Sequence, residues 1–440
     1  MKLLYFTIQI NMVGGLARIV IDKINWLVDH GYEVALCNIE ALPIQPAYPI
    51  DPRVELIRGD IQTKPGGILT RAKGVIGAVN RTKEVIRQVK PDIIMNAHCP
   101  LVTWILPFVC HDIRKIVEIH QSRQGLEVFN RQFMSPIARW GHRHAIRWIY
   151  GKYDRFVVLT HGDQESWQCK NCEVIPNFFN VNENVNVNDD AMKRCRYENG
   201  ELRTKTKTKT KTEALDEDEK VDVHVDVLVK KQIIMLARLM PQKRIDLMID
   251  VWAELAKDFP EWKVKVLGEG MLRPELKKKI QTLGLEDSFL LPGEVKDVTN
   301  ELQASEILCL TSEYEGFGIV LIEAMAKGIP VIAFEYVGVH DIIQDGVDGF
   351  IVPFGDVHGY AQKLRQLMTN KYLREKLSSA ALSSVHKFDK EKVMQKWDKL
   401  FNETLRYETE LCSYETWLSH YENHNEGRCK KEGGRGFDNL

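Results

Sequence analysis

Short apolar runs alternate along this chain with longer segments whose apolar residues recur at helical spacing. Runs at 3–8, 33–37, 54–57, 93–97, 115–119, 156–159 and 173–175 predict strands. The patterns between most of them, notably 68–90 and 131–150, predict helices. Such alternation predicts a parallel sheet with helices on both faces. A second series opens at KQIIMLARLMPQKRIDLMID, where a strand at 232–237 leads through a turn into a helix with apolar Ile245, Met248, Ile249 and Trp252. KVKVLGEG, FLLPGEV at 289–295, EILCLTS and DGVDGFIVPFGD continue that series, followed by helices to about 386 and a helical stretch over 389–407.

The segment from Thr311 to Phe334 concentrates the chemistry. Residues Ile319 to Ala326 predict an apolar helix, stopped by Gly328 as a C-cap with Lys327 in the last turn. Pro330 then introduces VIAF, which reads as a buried parallel strand. Glu323 is the one charge inside that helix, and a carboxylate buried there without a partner is costly. Eight positions earlier stands Glu315, followed by Gly316, Phe317 and Gly318, where glycines let backbone N–H groups approach an anion. Two readings fit: both acids hold a ligand, or Glu323 lies on a solvated edge and Glu315 complements the helix dipole.

Other polar residues fall at predicted strand ends, where open α/β sheets place ligands. They are Gly14 and Gly15 after the first strand, His98 after DIIMNA, His120 after KIVEI, and Arg238 and Lys243 after the 232–237 strand. Each also has a plain reading as a tight turn, a structural hydrogen-bonder or surface charge.

At 440 residues the chain is long enough for two cores. Its 44% hydrophobic content and formal charge of -1 argue against disorder and against bulk nucleic-acid affinity. The nine scattered cysteines suit free thiols, and Cys169 with Cys172 lacks a second pair to complete a zinc site. MKLLYFTIQI reads as a first strand rather than a signal peptide, so a cytoplasmic protein is the expectation. Residues 181–230 break the alternation with VNENVNVNDD, TKTKTKTKT, DEDE and VDVHVDVLV, and read as a partly disordered insertion with a hairpin. The basic, aromatic stretch 131–155, with Arg139, Arg143 and Arg147 every fourth residue, suits either peripheral contact with an anionic membrane or a solvated basic face.

EGFGIVLIE, with its flanking glycines and the following GIPVIA, resembles the E-x7-E signature of family 4 retaining glycosyltransferases. The resemblance implies the GT-B fold, two facing Rossmann-like α/β domains: an acceptor domain over 1–179, a linker over 180–231 and a nucleotide-sugar domain over 232–388. A helix within 389–422 would cross back to the first domain, and 423–440 would be a disordered tail. It implies that Glu315 holds sugar hydroxyls, Glu323 the ribose, and Arg238 with Lys243 the diphosphate. His120 would stand near the sugar and its phosphate, with Gly316, Phe317 and Gly318 forming the donor loop. Backbone at Glu294 and Val295 would meet the nucleobase, while Gly14, Gly15 and His98 would line the cleft near phosphates and acceptor. CEVIPNF, with Asn177, resembles the family's exit from the first domain.

The implied activity is transfer from a nucleotide-diphosphate sugar, UDP-linked by family frequency, to a glycan or lipid-linked oligosaccharide in surface polysaccharide assembly. The implied linkage is α, with neither cofactor nor metal and with no nucleic-acid partner. A non-catalytic nucleotide-sugar or glycan binder and a sugar-nucleotide epimerase on the same architecture are the alternatives.

Overall fold

The apolar runs fold into two separate parallel sheets. The computed structural model describes residues 1–406 apart from 9, 13, 41–43, 62–67, 98, 180–196, 199–200, 203–230 and 296. The TKTKTKTKT repeat, the DEDE run, VDVHVDVLV, His98 and the 423–440 tail therefore lie outside the described residues.

The first sheet contains β1 (Lys2–Thr7), β2 (Glu33–Asn38), β3 (Glu55–Arg58), β4 (Ile93–Ala97), β5 (Arg114–Glu118), β6 (Arg155–Val158) and β7 (Cys172–Val174), in the order β3-β2-β1-β4-β5-β6-β7. A short antiparallel pair follows, β8 (Tyr197–Glu198) with β9 (Glu201–Leu202). The second sheet contains β10 (Lys231–Leu236), β11 (Trp262–Leu267), β12 (Phe289–Gly293), β13 (Ile307–Leu310), β14 (Val331–Phe334) and β15 (Phe350–Val352), in the order β12-β11-β10-β13-β14-β15. Alternation along β1 explains the layering. Leu4 and Phe6 enter the core on one face, Leu3 and Tyr5 the core on the other. In each sheet the order reverses beside the first strand, β1 between β2 and β4, β10 between β11 and β13. Crevices open at the carboxyl ends of such switch points.

Helix α1 (Gly15–Asp29) follows β1, α2 (Ile68–Val89) precedes β4, and α3 (Pro100–Ile105) follows it. The single helix expected over 131–150 is two: α4 (Arg123–Phe133) and α5 (Pro136–Tyr150). Ser135 accepts the Ala138 N–H as an N-cap and Pro136 occupies the first turn, so α5 starts afresh there. Helix α6 (His161–Trp167) lies between β6 and β7. Among the described residues no helix is long and apolar enough to cross a membrane.

Two adjacent residues divide the halves. Phe178 joins the core of the first, Phe179 that of the second. The chain returns beside this exit, where the Phe179 N–H donates to the Phe388 carbonyl at 3.2 Å. The helix over 390–406 then packs Val393, Met394, Trp397, Leu400 and Phe401 against Leu3, Tyr5 and Leu27 of the first half. Trp26 Nε1 donates to Glu391 at 2.8 Å, and the Tyr32 hydroxyl donates to Asp398. Trp397 is 1% exposed, and its ring lies 3.8 Å from the Lys23 ammonium. Trp397→Ala is expected to cost about 3–5 kcal/mol, since it opens a cavity and removes the ring from a buried cation. Urea denaturation checks this, and an unchanged midpoint would refute the anchoring role of this helix.

Candidate functional site

The site grows from the carboxyl ends of β10 and β13. Beyond β10 the chain turns through Arg238, and the glycines after β11 lie flat on that turn. A Cβ at Gly268 would stand 2.3 Å from the Ala237 carbonyl oxygen, and one at Gly270 2.4 Å from that of Leu239. Arg238 is exposed, and among the described residues none hydrogen-bonds or ion-pairs with its side chain. Lys243 follows in the turn Pro241–Lys243, tied to the loop after β13 because the Thr311 hydroxyl donates to the Lys243 carbonyl at 2.9 Å. Its ammonium lies 2.6 Å from Glu315 Oε1, which also accepts the Ser312 hydroxyl at 2.6 Å. Lys243 and Glu315 are 14% and 11% exposed, so the pair is shielded yet reachable. Two members of the expected trio thus meet, while the third, Arg238, is exposed.

The loop runs on toward the other half. Gly316 abuts the first domain, and a Cβ there would lie 1.9 Å from the His120 carbonyl oxygen. Gly318 adopts φ 94° ahead of the helix Ile319–Met325, a left-handed conformation suited to glycine. The Phe317 ring is buried in the second core, edge-on to Phe388, so its side chain faces away from the cleft. Phe317 can therefore serve the expected donor loop only through its backbone, and its carbonyl accepts the Tyr336 hydroxyl at 2.9 Å. Gly15 meets the start of the same helix, where a Cβ would stand 3.1 Å from Ile319 Cδ1. Gly14 has open space around it and donates its N–H to the Tyr48 hydroxyl at 3.3 Å. Glu294 is exposed beyond β12, and Val295 packs at the edge of the second core.

Glu323 is neither buried alone nor on an open edge. The Arg18 guanidinium of α1 reaches across to its carboxylate at 2.8 Å, with Asp22 also near Arg18 at 3.8 Å. Gln124 of α4 makes a second link: its amide donates to the Glu313 carbonyl at 3.1 Å and accepts the Val337 N–H at 3.2 Å. Arg18 and Gln124 were missed in sequence because each pairs with a residue far along the chain. Arg18 still carried a signal, as a cation one turn into the helix after the Gly14–Gly15 loop.

His120 lies just beyond β5 with its side chain 7% exposed and Nε2 3.2 Å from Glu118 Oε1. Both Glu118 oxygens accept hydrogen bonds from the Lys23 ammonium at 2.5 Å, and the Lys23 and Glu118 side chains are 1% and 2% exposed. Burial alone would push the Glu118 carboxyl up; Lys23 and His120 outweigh it and hold it at about 2.

Asp163 behaves oppositely. It accepts the Arg123 N–H at the start of α4 and the Thr160 hydroxyl, but burial outweighs both and pushes its carboxyl up to about 7, with the Asp341 charge adding to the rise. Burial likewise pushes the Cys172 thiol up to about 12 and raises that of Cys169, and both are free.

Two family models match the chain: Glycosyltransferase Family 4 over residues 13–183 and Glycosyl transferases group 1 over residues 216–383. An amylovoran biosynthesis glycosyltransferase of Erwinia amylovora is 24% identical over 423 residues, covering 91% of this chain and 99% of that one. An exopolysaccharide phosphotransferase of Streptomyces coelicolor is 34% identical over 175 residues, 39% of this chain but only 19% of that relative. Among solved structures, Anabaena HepE in complex with UDP and glucose superimposes with a TM-score of 0.65 at 16% identity, covering 92% of this chain and all of that one. That likeness establishes the GT-B fold.

Two outcomes test the geometry. Gly316→Ala is expected to lower kcat/KM by about a hundredfold, because a backbone carbonyl cannot yield to the added methyl and the halves must separate. Retained thermal stability with that loss supports the contact; full activity sinks it. Asp163, whose folded pKa lies above its unfolded value, contributes stability that is complete below about pH 4 and lost as pH rises through about 7. Asp163→Asn should flatten the stability profile across that window, as read from denaturation midpoints.

Proposed function

This chain belongs to the family 4 glycosyltransferases of GT-B fold, and from that premise we propose that it transfers a sugar from a UDP-sugar to a glycan or lipid-linked acceptor in cell-surface polysaccharide assembly, with retention and an α linkage. The observation that carries the reading is the Lys243–Glu315 pair, set at the sheet's carboxyl ends and within a glycine's reach of His120. The UDP and glucose in the HepE complex, and the amylovoran biosynthesis named for the Erwinia relative, support the donor and acceptor classes.

In this reading the anomeric carbon–oxygen bond breaks and its electron pair goes to the diphosphate. Lys243 and Arg238 meet that growing charge, fixed cations where electrostatic stabilisation counts most. Glu315 turns toward the sugar hydroxyls and orients the ring, and Glu323 takes the ribose. The acceptor hydroxyl attacks from the face the diphosphate leaves, and its proton passes to a departing phosphate oxygen. His120, steadied by Glu118, lines the opposite wall. The proposal needs no metal, because protein cations supply the neutralising charge.

The alternatives predict different chemistry. An epimerase would interconvert the sugar without releasing nucleotide, and a binder would be stabilised by nucleotide sugars without turnover. A panel of nucleotide sugars, assayed for released nucleotide diphosphate, separates the three. Glu315→Ala is expected to lower release at least about a hundredfold while far-UV circular dichroism and melting stay those of a folded protein. Turnover equal to the parent protein would be falsifying.

A further inference from the structure

Helices α4 and α5 leave a cleft of about 310 Å³ between them, away from the ion pairs described above. Arg123 and Arg131 of α4 and Arg139 and Arg143 of α5 line it, against the single carboxylate of Glu127. Glu127 engages Arg123 at 3.3 Å and Arg143 at 3.2 Å. Arg131 and Arg139 have no side-chain partner among the described residues, so the cleft holds an excess of positive charge. This differs from the expected face of Arg139, Arg143 and Arg147. Arg147 instead donates to the Gln168 carbonyl at 3.1 Å, and two arginines of α4 complete the set.

Beside the cleft, α5 turns an apolar stripe outward. Ile137 is 83% exposed and Trp140 64%, and His144 and Trp148 continue the same face at helical spacing. Trp140 packs on His144 with ring centroids 4.3 Å apart, and Trp148 on exposed Phe108 at 5.9 Å. The opposite face of α5 is already used, since Ile146, Ile149 and Tyr150 are buried in the first core. A second apolar face toward water, bordered by arginines, is the signature of a helix lying in a membrane interface.

We propose that the α4–α5 cleft binds the phosphate of an anionic phospholipid headgroup while Ile137, Trp140 and Trp148 enter the acyl boundary. Guanidinium groups match phosphate oxygens in paired hydrogen bonds, and the cleft has room for a phosphate with its adjoining ester. The aromatic stripe is what separates this occupant from a soluble phosphate, which would gain nothing from it. Because the start of α4 also carries Gln124 against Glu313 and Val337, a lipid held here would place the donor loop close to the membrane surface.

The test is sedimentation of the full chain with vesicles of phosphatidylcholine alone or mixed with phosphatidylglycerol. The parent protein should sediment with the anionic vesicles and stay in solution with the neutral ones. Arg131→Glu with Arg139→Glu should weaken that partition at least about tenfold, and Trp140→Ala should weaken it without any change of charge. Lys371→Glu, on a different helix of the second half, should leave it unchanged. Thermal melts confirm that each variant is folded. Binding by the double variant equal to that of the parent overturns the proposal. So does equal weakening by Lys371→Glu, which would mean long-range attraction without a site. Stabilisation of the parent but not the double variant by inorganic pyrophosphate, without vesicle binding, would assign the cleft to a soluble phosphate and likewise overturn it. Release of nucleotide diphosphate in vesicle-free buffer is measured alongside, and it tests the transfer reaction separately.

Discussion

Gly316 stands so close to the carbonyl oxygen of His120 that no methyl group fits between them. That constraint joins the carboxyl ends of the two sheets, and the chemistry follows from it. On one side of the contact lies the Lys243–Glu315 pair, on the other the His120 ring with Glu118 and Lys23 behind it. Gln124 repeats the junction with a single amide that serves both a carbonyl and an N–H of the opposite half. Apolar packing accompanies these links, with Leu159 buried in the second core and Ile319 set against the first.

Behind His120 the first half buries a full charge pair, an arrangement that is costly unless the geometry is good and every oxygen is used. Here both Glu118 oxygens accept from Lys23 and one also faces His120. Trp397 covers the ammonium from the returning helix. Burial still disfavours the Lys23 cation and lowers its pKa against the pull of Glu118, whereas the carboxylate, with two positive or polar neighbours, stays firmly ionised. The His120 ring is therefore held by an anion whose own position depends on a helix contributed by the end of the described chain. The site and the return of the chain to the first half belong to one network.

Much of this was legible beforehand, for physical reasons. Parallel strands buried on both faces leave continuous apolar runs, so VIAF was readable as β14; the helix before it was readable too, though its C-cap is Ala326 and Gly328, at φ 66°, follows in the turn. Glu315 stood out by its glycines and Glu323 by its isolation, but their partners did not. Arg18 lies 305 residues from Glu323, and no local pattern encodes such a pairing. Lys23 was readable in principle: it falls on the α1 face that carries Val20, Ile24 and Leu27 into the core, where a cation demands an explanation. Glu118 likewise interrupts an apolar strand. The break at Ser135 and Pro136 was a cap signal hidden by an unbroken basic pattern on either side.

The two acids of the signature are alike in one respect that bears on the proposed transfer. Each is already paired with a cation of the protein, Glu315 with Lys243 and Glu323 with Arg18. Two unit charges at such separations interact by several kcal/mol at the effective dielectric near a protein surface, so a donor has to exchange partners rather than occupy free ones. A diphosphate offers Lys243 more negative charge than one carboxylate does. The exchange then releases Glu315 for the sugar hydroxyls at the moment the diphosphate is held. Arg238, which has no carboxylate to leave, is the cation able to attract the anion before that exchange begins. On this reading the exposed arginine and the half-buried lysine act in sequence, and the carboxylate paired with that lysine couples capture of the phosphates to orientation of the sugar.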